Sequence, residues 1–541
     1  MQSQNSLNLS NGIFFKLKSS FKKLYKNSNF YEKRISKTFD NNFEYKPSPH
    51  LLSSIIKYQK KKYKIEDFAT ETIWKNNIST KEFKKLNNFF WFFSLDLKSS
   101  KETTQSIILN WINKNEKFDE NIWEFNITAK RIIAWLSNHQ LTYEDSNEEY
   151  RLFFNHMLQK QTNHLLNEIK NLDETEEKLI GCAAIILTGL AYNDEKNYLD
   201  SGLNILKNLI KHSLDKQGFP KSRNIQNLVF YLKYLIIIRE WFKESQNPIP
   251  EYVDETIYYL GSSYAFIWQN IKQDIFFNGN YSSNHHEFDQ YLKRFGYTFK
   301  NQINELAGYT ILQNKKFILA ADIGSNPEKI YTKDYQAGAL SFEIFSNGKK
   351  LISNSGYYPD VKNRLNKFSK STALQSTLSI EDYSSCDFIK AGDNFLIQKD
   401  LKIGNKNIVF EKNYWKISAS HNGYFKKFKL DHHREIEFYP EQFKFIGHDK
   451  IVRKDPDRQI KFDIRFHLHP DSKVMKTQNN KFILIQLEDE GWQFSCDNYD
   501  INIDNGLYFG NKNSYQENQN IFISGMSNES EQIIRWEINK I

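Results

Sequence analysis

The stretch AGYTILQNKKFILAADIGSNP, residues 307–327, and the stretch YQAGALSFEIFSNGKKLISNSG, residues 335–356, decide the fold. Apolar residues alternate around Phe317-Ile318-Leu319 in the first and around Leu340-Ser341-Phe342 in the second. Turn residues follow at Asn326-Pro327 and at Asn347-Gly348. A period of two that is broken by turn residues is typical of β-hairpins. The two stretches therefore predict antiparallel strands with turns at both positions.

The alternating pattern continues to the end of the chain. Residues 461–469, KFDIRFHLH, alternate strictly, and the segments 481–487 and 491–496 follow across short turns. In 461–469 the predicted polar face carries Asp463, Arg465, His467 and His469, opposite an apolar face. Many short strands at this spacing, without helical segments between them, indicate a large antiparallel β-sandwich.

Upstream of this region the period is helical. Apolar stripes recur at helical spacing from Pro49 to Lys272, and segments near 195–213, 225–243 and 252–272 are separated by short polar links. Antiparallel helix pairs with short links form bundles, solenoids or toroids, and the period alone does not choose among them. At 541 residues, the chain is expected to fold as two or more domains.

Composition limits the classes of function. The net charge of +9 suits an acidic polymer as partner, but lysine is spread along the chain and no basic stripe with exposed aromatics indicates a nucleic-acid binder. The three cysteines, Cys182, Cys386 and Cys496, are far apart, which argues against a disulfide framework and a thiolate metal site. The adjacent histidines His285-His286 are expected in a solvated loop and not on a metal.

Targeting segments are not visible in the sequence. The N-terminus is polar, and the longest apolar stretch, Tyr234 to Ile238, is flanked by Lys233 and Arg239. Neither a secretory signal nor a transmembrane helix is therefore predicted, and the sequence alone favours a soluble, cytoplasmic protein.

Several blocks resemble the heparinase II/III-like polysaccharide lyases. They are Gly308-Tyr309, Asp322-Ile323-Gly324, Gln336-Ala337-Gly338-Ala339-Leu340-Ser341-Phe342-Glu343, Asn354-Ser355-Gly356 and, upstream, Gly218-Phe219-Pro220-Lys221-Ser222-Arg223-Asn224. The resemblance implies an α+β multidomain protein, in which an incomplete α/α toroid precedes a large antiparallel β-sandwich. We expect an N-terminal arm at 1–48, the toroid at 49–300 and the β-sandwich at 301–541. The resemblance also implies a periplasmic or cell-envelope location.

The chemistry of such a lyase is β-elimination from a uronic acid. Donors must neutralise the sugar carboxylate, a base must take the C5 proton, and an acid must protonate the leaving oxygen, without a required metal or cofactor. By resemblance, the catalytic candidates are Tyr309, Asn224, Gln336 and Gln375. Asn224 precedes an apolar run and is equally well placed as a helix N-cap.

Further candidates would bind the substrate, an acidic polysaccharide or oligosaccharide. They are Arg223, which is suited to pair with a carboxylate, together with Asn278, His421, Arg465 and His467. The oligomeric state is left open by the sequence.

One departure from the family concerns the activity directly. Two histidines of the family pattern are Gln336 and Gln375 in this chain, and glutamine takes no proton at neutral pH. The sequence favours a lyase that cleaves a uronic-acid polymer by β-elimination, in which a tyrosine has the central role. The alternative is an altered relative that binds an acidic glycan in cell-envelope assembly or turnover. A hydrolase with paired carboxylates at Glu174, Glu176 and Glu177 is less favoured, since these residues resemble a helix N-terminus.

Overall fold

The computed structural model describes residues 20–39, 43–53, 64, 79–192, 196–283, 285–392, 394–398, 400–456, 458–478 and 481–541. Two compact units divide the chain, Met1–His212 with Phe230–Ile257 and Ser213–Val229 with Tyr258–Ile541. These units do not follow the expected limits at 48 and 300, which stay a prediction. Much of the expected N-terminal arm, residues 1–19 and 40–42, lies outside the described residues.

Helices dominate the described chain up to residue 269. The α-helices are α1 (Asn29–Ile35), α2 (Pro49–Ser53), α3 (Thr80–Asn87), α4 (Lys101–Asn115), α5 (Phe125–Ser137), α6 (His139–Thr142), α7 (Glu148–Glu168), α8 (Thr175–Ala191), α9 (Lys196–Ser213), α10 (Ile225–Glu244), α11 (Glu251–Tyr264), α12 (His285–Arg294), α13 (Arg364–Ser369) and α14 (Phe425–Phe428). Short 3-10 helices span Phe90–Ser94, Ile169–Asn171, Lys329–Tyr331 and Thr372–Leu374, and a π-helical turn spans Ala265–Gln269.

Helix α8 shows how the sequence builds this region. Glu176 and Glu177 lie in its first turn, where the helix dipole favours negative charge, so these acidic residues mark a helix N-terminus as predicted. From Leu179 to Ala191 every residue is buried, as a helix that is apolar on all sides must be. Helices α9, α10 and α11 match the three segments predicted from the helical period.

Antiparallel strands follow from residue 305. They are β1 (Glu305–Leu306), β2 (Tyr309–Gln313), β3 (Phe317–Asp322), β4 (Phe342–Ser346), β5 (Lys349–Ile352), β6 (Leu378–Ile380), β7 (Phe388–Ala391), β8 (Asn394–Ile397), β9 (Ile403–Phe410), β10 (Trp415–His421), β11 (Leu430–Tyr439), β12 (Lys444–Arg453), β13 (Ile460–His467), β14 (Lys473–Lys476), β15 (Phe482–Leu487), β16 (Glu490–Cys496), β17 (Ile501–Tyr508), β18 (Gln516–Ser527) and β19 (Glu531–Lys540). They form sheets in the orders β1-β2-β3-β4-β5, β14-β15-β16-β19-β12-β11-β10-β9, β17-β18-β13-β6 and β7-β8.

The three larger sheets share one apolar core. Strands β11 and β12 alternate strictly between buried and partly exposed residues, so each presents one buried face, on which His432, Arg434 and Asp449 lie among apolar residues. Phe342 of the five-stranded sheet stacks on Trp536 of the eight-stranded sheet with ring centroids 5.4 Å apart. Phe438 and Phe445 stack at 4.0 Å within the same core. The strand periodicity therefore places its apolar positions where the sequence predicted a packed sandwich.

The stretch that opened the sequence analysis forms strands β2 to β5. Asn347 and Gly348 both have positive φ, 45° and 77°, which fits a tight hairpin between β4 and β5. The predicted turn at Asn326-Pro327 is wrong as a tight turn. Strands β3 and β4 do pair antiparallel, but residues 323–341 join them in a long excursion that we call the β3–β4 connection.

Strand β13 corrects the expectation of an exposed polar face. It lies between β18 and β6, and Asp463 and His467 are 4% and 1% exposed. Arg465, on the same face, is half-buried. His285 also departs from expectation, because it begins helix α12 and is buried. Over the described residues, no helix combines the length and apolar character needed to cross a membrane.

Candidate functional site

Arg223 is a buried anchor in the turn that precedes helix α10. Its Nη2 donates to Asp322 Oδ1 at 2.5 Å, and its Nε donates to the carbonyl of Ala307 at 2.8 Å. Its Nη1 donates to the carbonyls of Gly324 and Ser325. The sequence predicted a carboxylate partner for Arg223, and the structure supplies an internal one. The guanidinium is engaged with the protein, and its role in substrate binding stays a prediction.

Tyr309 and Asn278 extend this cluster. The Tyr309 hydroxyl donates to the carbonyl of Arg223 at 2.5 Å and accepts from Asn278 Nδ2 at 2.8 Å. The same amide nitrogen donates to Asp322 Oδ2 at 2.8 Å. Tyr309 is 0% exposed and stacks on Phe277 with ring centroids 5.6 Å apart. Asn278 and Tyr309 therefore tie Asp322 and Arg223 into one internal network.

The electrostatics of the cluster keep its groups in their ordinary protonation states. Burial raises the pKa of Tyr309 well above its ordinary value, so the phenol stays protonated at neutral pH. Burial alone would disfavour the charged Arg223, but the carboxylate of Asp322 keeps the arginine pKa above its ordinary value. A tyrosine acting as base would need the opposite shift.

Gln336 is locked by three hydrogen bonds of its side chain. Its Oε1 accepts from the amide of Gly279 at 3.1 Å, and its Nε2 donates to the carbonyls of Gly356 and Ser369 at 2.9 and 2.7 Å. The residue is 1% exposed. Every hydrogen atom and one lone pair of this amide are therefore used inside the protein, and the side chain joins three separate loops.

Asn224 has two roles that share one side chain. Its Oδ1 accepts from the amides of Gln226 and Asn227, so it caps helix α10, as one reading of the sequence predicted. Its Nδ2 points the other way and donates to Asp334 Oδ2 at 3.1 Å. Gly279 packs against this amide, and a Cβ there would lie 2.4 Å from Nδ2. The cap thus fixes the orientation of the donor.

Asp334, which the sequence analysis did not single out, is the acceptor at the centre of this second cluster. Its Oδ1 accepts from the Tyr357 hydroxyl at 2.7 Å, while Oδ2 accepts from Asn224. Asn366 Nδ2 donates to the same tyrosine oxygen at 2.9 Å. Asp334 is half-buried, whereas its two donors, Asn224 and Tyr357, are 4% and 2% exposed. Two buried neutral donors therefore converge on one carboxylate.

The neighbourhood of Asp334 also contains Lys370. The Lys370 ammonium donates to the carbonyls of Lys333 and Phe395. Burial lowers the lysine pKa to about 8, and the negative charge of Asp334 opposes that shift. Burial likewise raises the pKa of Tyr357, with Asp334 adding to the effect. The cluster therefore contains one carboxylate, Asp334, and two neutral donors, Asn224 and Tyr357. It also contains Lys370, whose pKa is lowered by burial.

Asp334 and Tyr357, which the sequence analysis did not select, both lie close to blocks of the family pattern. Asp334 precedes the quoted block that begins at Gln336, and Tyr357 directly follows Asn354-Ser355-Gly356. Polar residues beside blocks of a family pattern are candidates for the same site, because loops that carry function are built from neighbouring positions. The spacing alone did not show that the two side chains meet.

The remaining catalytic candidate, Gln375, lies apart from these bonds. It is 1% exposed, and within the described part of the chain its Nε2 has no hydrogen-bond partner. A Cβ built on Gly338 would lie 3.3 Å from Gln375 Oε1, so the side chain packs near the β3–β4 connection. The catalytic roles of Tyr309, Asn224, Gln336 and Gln375 stay predictions.

His421 and His467 are internal residues, and their role in substrate binding stays a prediction. His421 Nδ1 accepts from the amide of Gly423, and Nε2 bonds to His432 Nδ1 at 3.1 Å. His467 Nε2 bonds to the carbonyl of Ala373 at 3.0 Å, and Nδ1 bonds to the Ser355 hydroxyl. Both rings are at most 2% exposed, and both nitrogens of each ring are engaged.

Arg465 is the predicted substrate ligand with the most exposed position. Its Nη1 donates to Asn520 Oδ1 at 3.0 Å and approaches Asp504 Oδ2 at 3.5 Å. These contacts leave the half-buried side chain on the sheet β17-β18-β13-β6, separate from the hydrogen bonds of Asp334. Its role in binding stays a prediction.

The comparison with protein families decides the nature of the strand region. Residues 305–537 match the family model described as Heparinase II/III-like, C-terminal. This region is a heparinase II/III-like C-terminal domain. The family resemblance deduced from the sequence blocks is therefore confirmed. Asp334, Gln336 and Tyr357 lie within the matched residues, whereas their partners Asn224 and Gly279 precede them.

Solved structures with the same fold include two lyases. A crystal structure of Heparinase III is similar with a TM-score of 0.68 and 14% identity, over 94% of this chain and 88% of that one. A mutant of the heparan sulfate lyase HepC from Pedobacter heparinus is similar with a TM-score of 0.66 and 13% identity, over 86% and 78%. The predicted fold class, a helical toroid followed by an antiparallel β-sandwich, is confirmed.

One relative has a name that refers to FtsZ and not to a polysaccharide. FtsZ-localized protein C from Caulobacter vibrioides is 25% identical over 248 residues, which are 43% of this chain and 42% of that protein. The match thus spans less than half of either protein.

The arrangement around Asp334 can hold a carboxylate by its two oxygens. An amide N–H and a phenol O–H reach separate oxygens, and both donors are held by contacts that do not involve the carboxylate. Charge-assisted hydrogen bonds of this kind are stronger than those between neutral partners. Asn224 and Tyr357 therefore form a fixed pair of donors to one carboxylate, that of Asp334.

Proposed function

We propose that this chain binds an acidic polysaccharide and does not cleave it by an elimination that uses the two histidines of the family pattern. The observation that carries the proposal is the convergence of Asn224 Nδ2 and the Tyr357 hydroxyl on one carboxylate. Uronic acids present a carboxylate on every such sugar. A binding site for them needs fixed donors of this type and no cofactor.

The residues that would perform elimination favour binding over cleavage. Tyr309 is buried, protonated and bonded on both sides of its hydroxyl. Gln336 replaces a family histidine and is committed to three internal hydrogen bonds, and a glutamine side chain does not take up a proton near neutral pH. Abstraction of the C5 proton requires a base that reaches the sugar, and these side chains do not supply one.

A second candidate function is a lyase in which Tyr357 takes the place of Tyr309. Its support is that Tyr357 and Asn224 bond to the same carboxylate, so a uronate there would lie beside a phenol and a neutralising amide. The raised pKa of Tyr357 opposes a role as base. We therefore rank polysaccharide cleavage below polysaccharide binding.

The relatives support the class of ligand and suggest a setting. One structural neighbour is a heparan sulfate lyase, and one curated relative has a name that places it at FtsZ. We propose an acidic glycan of the cell envelope as the ligand in this chain. Envelope assembly or turnover is the process that fits both the heparan sulfate lyase and the relative named for FtsZ.

A binding assay on the full chain tests the proposal. Immobilised alginate, heparan sulfate, chondroitin sulfate and oligoglucuronan are compared with neutral dextran. The variant Asn224→Asp keeps the capping oxygen for helix α10 but replaces the donor with an acceptor. We expect the wild type to bind at least one acidic polymer and not dextran, and the variant to bind about tenfold more weakly.

The same samples distinguish binding from cleavage. Ultraviolet absorbance reports the C4–C5 double bond that elimination would create. We expect no absorbance from the wild type or from Gln336→His. Absorbance that is lost in Tyr357→Phe would establish the second candidate, and failure of all four acidic polymers to bind would overturn the proposed function.

A further inference from the structure

We propose that Asp334 is a built-in competitor for the carboxylate site: its side chain holds the donors of Asn224 and Tyr357 and must leave before a uronate binds them. This inference rests on the proposed function. It concerns the same site and adds a regulatory residue and a preference for anionic sugars.

The donors are oriented without help from Asp334. Asn224 is held by the bonds of its Oδ1 to the amides of Gln226 and Asn227 at the start of helix α10. Tyr357 is held by Asn366 Nδ2, which itself donates to the carbonyl of Tyr358 at 2.7 Å. Both donors therefore keep their positions when the carboxylate between them changes, which is the preorganisation that a binding site needs.

Asp334 is the most exposed member of the cluster and the easiest to displace. It is half-buried, while Asn224, Tyr357 and Asn366 are at most 4% exposed. Its neighbours along the chain are fixed: the Tyr335 amide donates to the carbonyl of Thr332, and Gln336 is held by three bonds. Rotation of the Asp334 side chain alone would clear the donors, without movement of the β3–β4 connection.

Charge balance makes the exchange selective. The negative charge of Asp334 acts on Lys370, and burial lowers the pKa of this lysine. A uronate that replaces Asp334 at the donors brings the same charge to the same place, so the buried cation keeps an anionic neighbour. A neutral sugar leaves the two donors with weaker acceptors. The site is therefore expected to exchange one carboxylate for another.

Calorimetric titration with D-glucuronate and with an oligoglucuronan hexasaccharide tests the inference, with D-glucose as the neutral probe. The variants are Asp334→Ala, which frees both donors, and Asp334→Asn, which keeps the side-chain shape but removes the charge. Asp489→Ala is the matched control, because Asp489 is exposed in the turn between β15 and β16. We expect Asp334→Ala to bind both uronates about tenfold more tightly than the wild type, and Asp334→Asn to fall between them.

The outcomes separate this inference from the proposed function. In one outcome the wild type binds the hexasaccharide and both Asp334 variants bind it equally well or more weakly. That result would overturn the inference that Asp334 competes with the ligand, and the proposed function would stand. Glucuronate binding to Asp334→Ala, with no polymer binding to the wild type, would support the competitor and overturn the proposed function. Equal gains for glucose and glucuronate would show a merely enlarged pocket and would overturn the inference.

A thermal-shift measurement guards against a folding defect in Asp334→Ala. A ligand that binds the folded state raises the melting temperature. We expect glucuronate to raise the melting temperature of Asp334→Ala more than that of the wild type or Asp489→Ala. A shift that is equal in all three proteins would overturn the inference, because the ligand would then bind elsewhere.

Discussion

Two carboxylates of the same unit, Asp449 and Asp334, are held in opposite ways. Asp449 is 0% exposed and accepts from His432 at 2.7 Å, from Arg434 at 2.8 and 3.0 Å, and from Trp536 at 2.9 Å. These partners lie on adjacent strands, β11 and β19, on either side of β12. Asp334 is half-buried, lies in a loop and accepts from one amide and one phenol.

The difference shows which carboxylate belongs to the scaffold and which can be exchanged. Asp449 neutralises a buried arginine whose Nη1 also holds the carbonyls of Leu340 and Ser376. Its loss would leave a buried charge unpaired. Loss of Asp334 leaves two neutral donors, together with Lys370, whose ammonium keeps its hydrogen bonds to the carbonyls of Lys333 and Phe395. Burial, partner charge and strand position together separate a structural anion from a replaceable one.

The largest expected effect is on Asp449. We expect Asp449→Ala to lower the free energy of unfolding by about 3–5 kcal/mol, because Arg434 would remain buried without a counter-charge. Urea denaturation followed by tryptophan fluorescence measures the change. A loss no greater than that of Asp334→Ala would break the proposed contrast between the two sites.

The pH dependence of stability gives an intermediate effect. Burial lowers the pKa of both His421 and His432 below the ordinary value, so the unfolded chain takes up protons that the folded histidines do not. Stability should therefore fall as the pH decreases below about 6.5, by up to about 1.4 kcal/mol per pH unit for each histidine. Denaturation midpoints at pH 7.5, 6.5 and 5.5 measure this slope.

A histidine variant assigns that slope to the Asp449 site. His421→Gln should reduce the slope between pH 6.5 and 5.5 by the share of one histidine, since burial also lowers the pKa of His164 and His467, whereas His286→Gln, at an exposed position, should leave it unchanged. An equally steep slope in both variants would place the acid sensitivity elsewhere in the protein.

The smallest expected effect is on Asp334. We expect Asp334→Ala to lower the free energy of unfolding by about 1 kcal/mol, because it removes two hydrogen bonds and water can replace the half-buried carboxylate at the fixed donors. Asp489→Ala should change it by less than about 0.5 kcal/mol. The same urea titration measures both. A loss for Asp334→Ala as large as that for Asp449→Ala would make Asp334 structural and would weaken the case for exchange.

Much of the fold was predictable because its signals are local. The helical period gave α9, α10 and α11, and alternation gave β13, β15 and β16, since each pattern records one buried face. The turn at Asn347-Gly348 was predictable from residue type, because both positions have positive φ. Asn326-Pro327 misled the prediction of a second tight turn, since a turn dipeptide does not reveal how far the chain travels before the next strand.

The site was predictable only in part because its bonds are long-range. The sequence selected Asn224 and Tyr309 but not Asp334, whose donor Asn224 is 110 positions away along the chain. It also placed His467 on a polar face, because alternation does not reveal that both faces of β13 are largely covered. Pairing between distant residues depends on tertiary packing, which residue type and spacing do not encode locally.

The β3–β4 connection has a consequence for how such proteins diversify. Strands β3 and β4 are paired from Phe317↔Ser346 to Ala321↔Phe342, so their register is set by their own side chains and not by the loop between them. Because the paired strands hold both ends of this loop, its sequence can change without a change in their register. A graft of residues 323–341 from another protein of this fold would keep the strand register, but it would have to replace the hydrogen bonds of Gln336 to Gly279, Gly356 and Ser369.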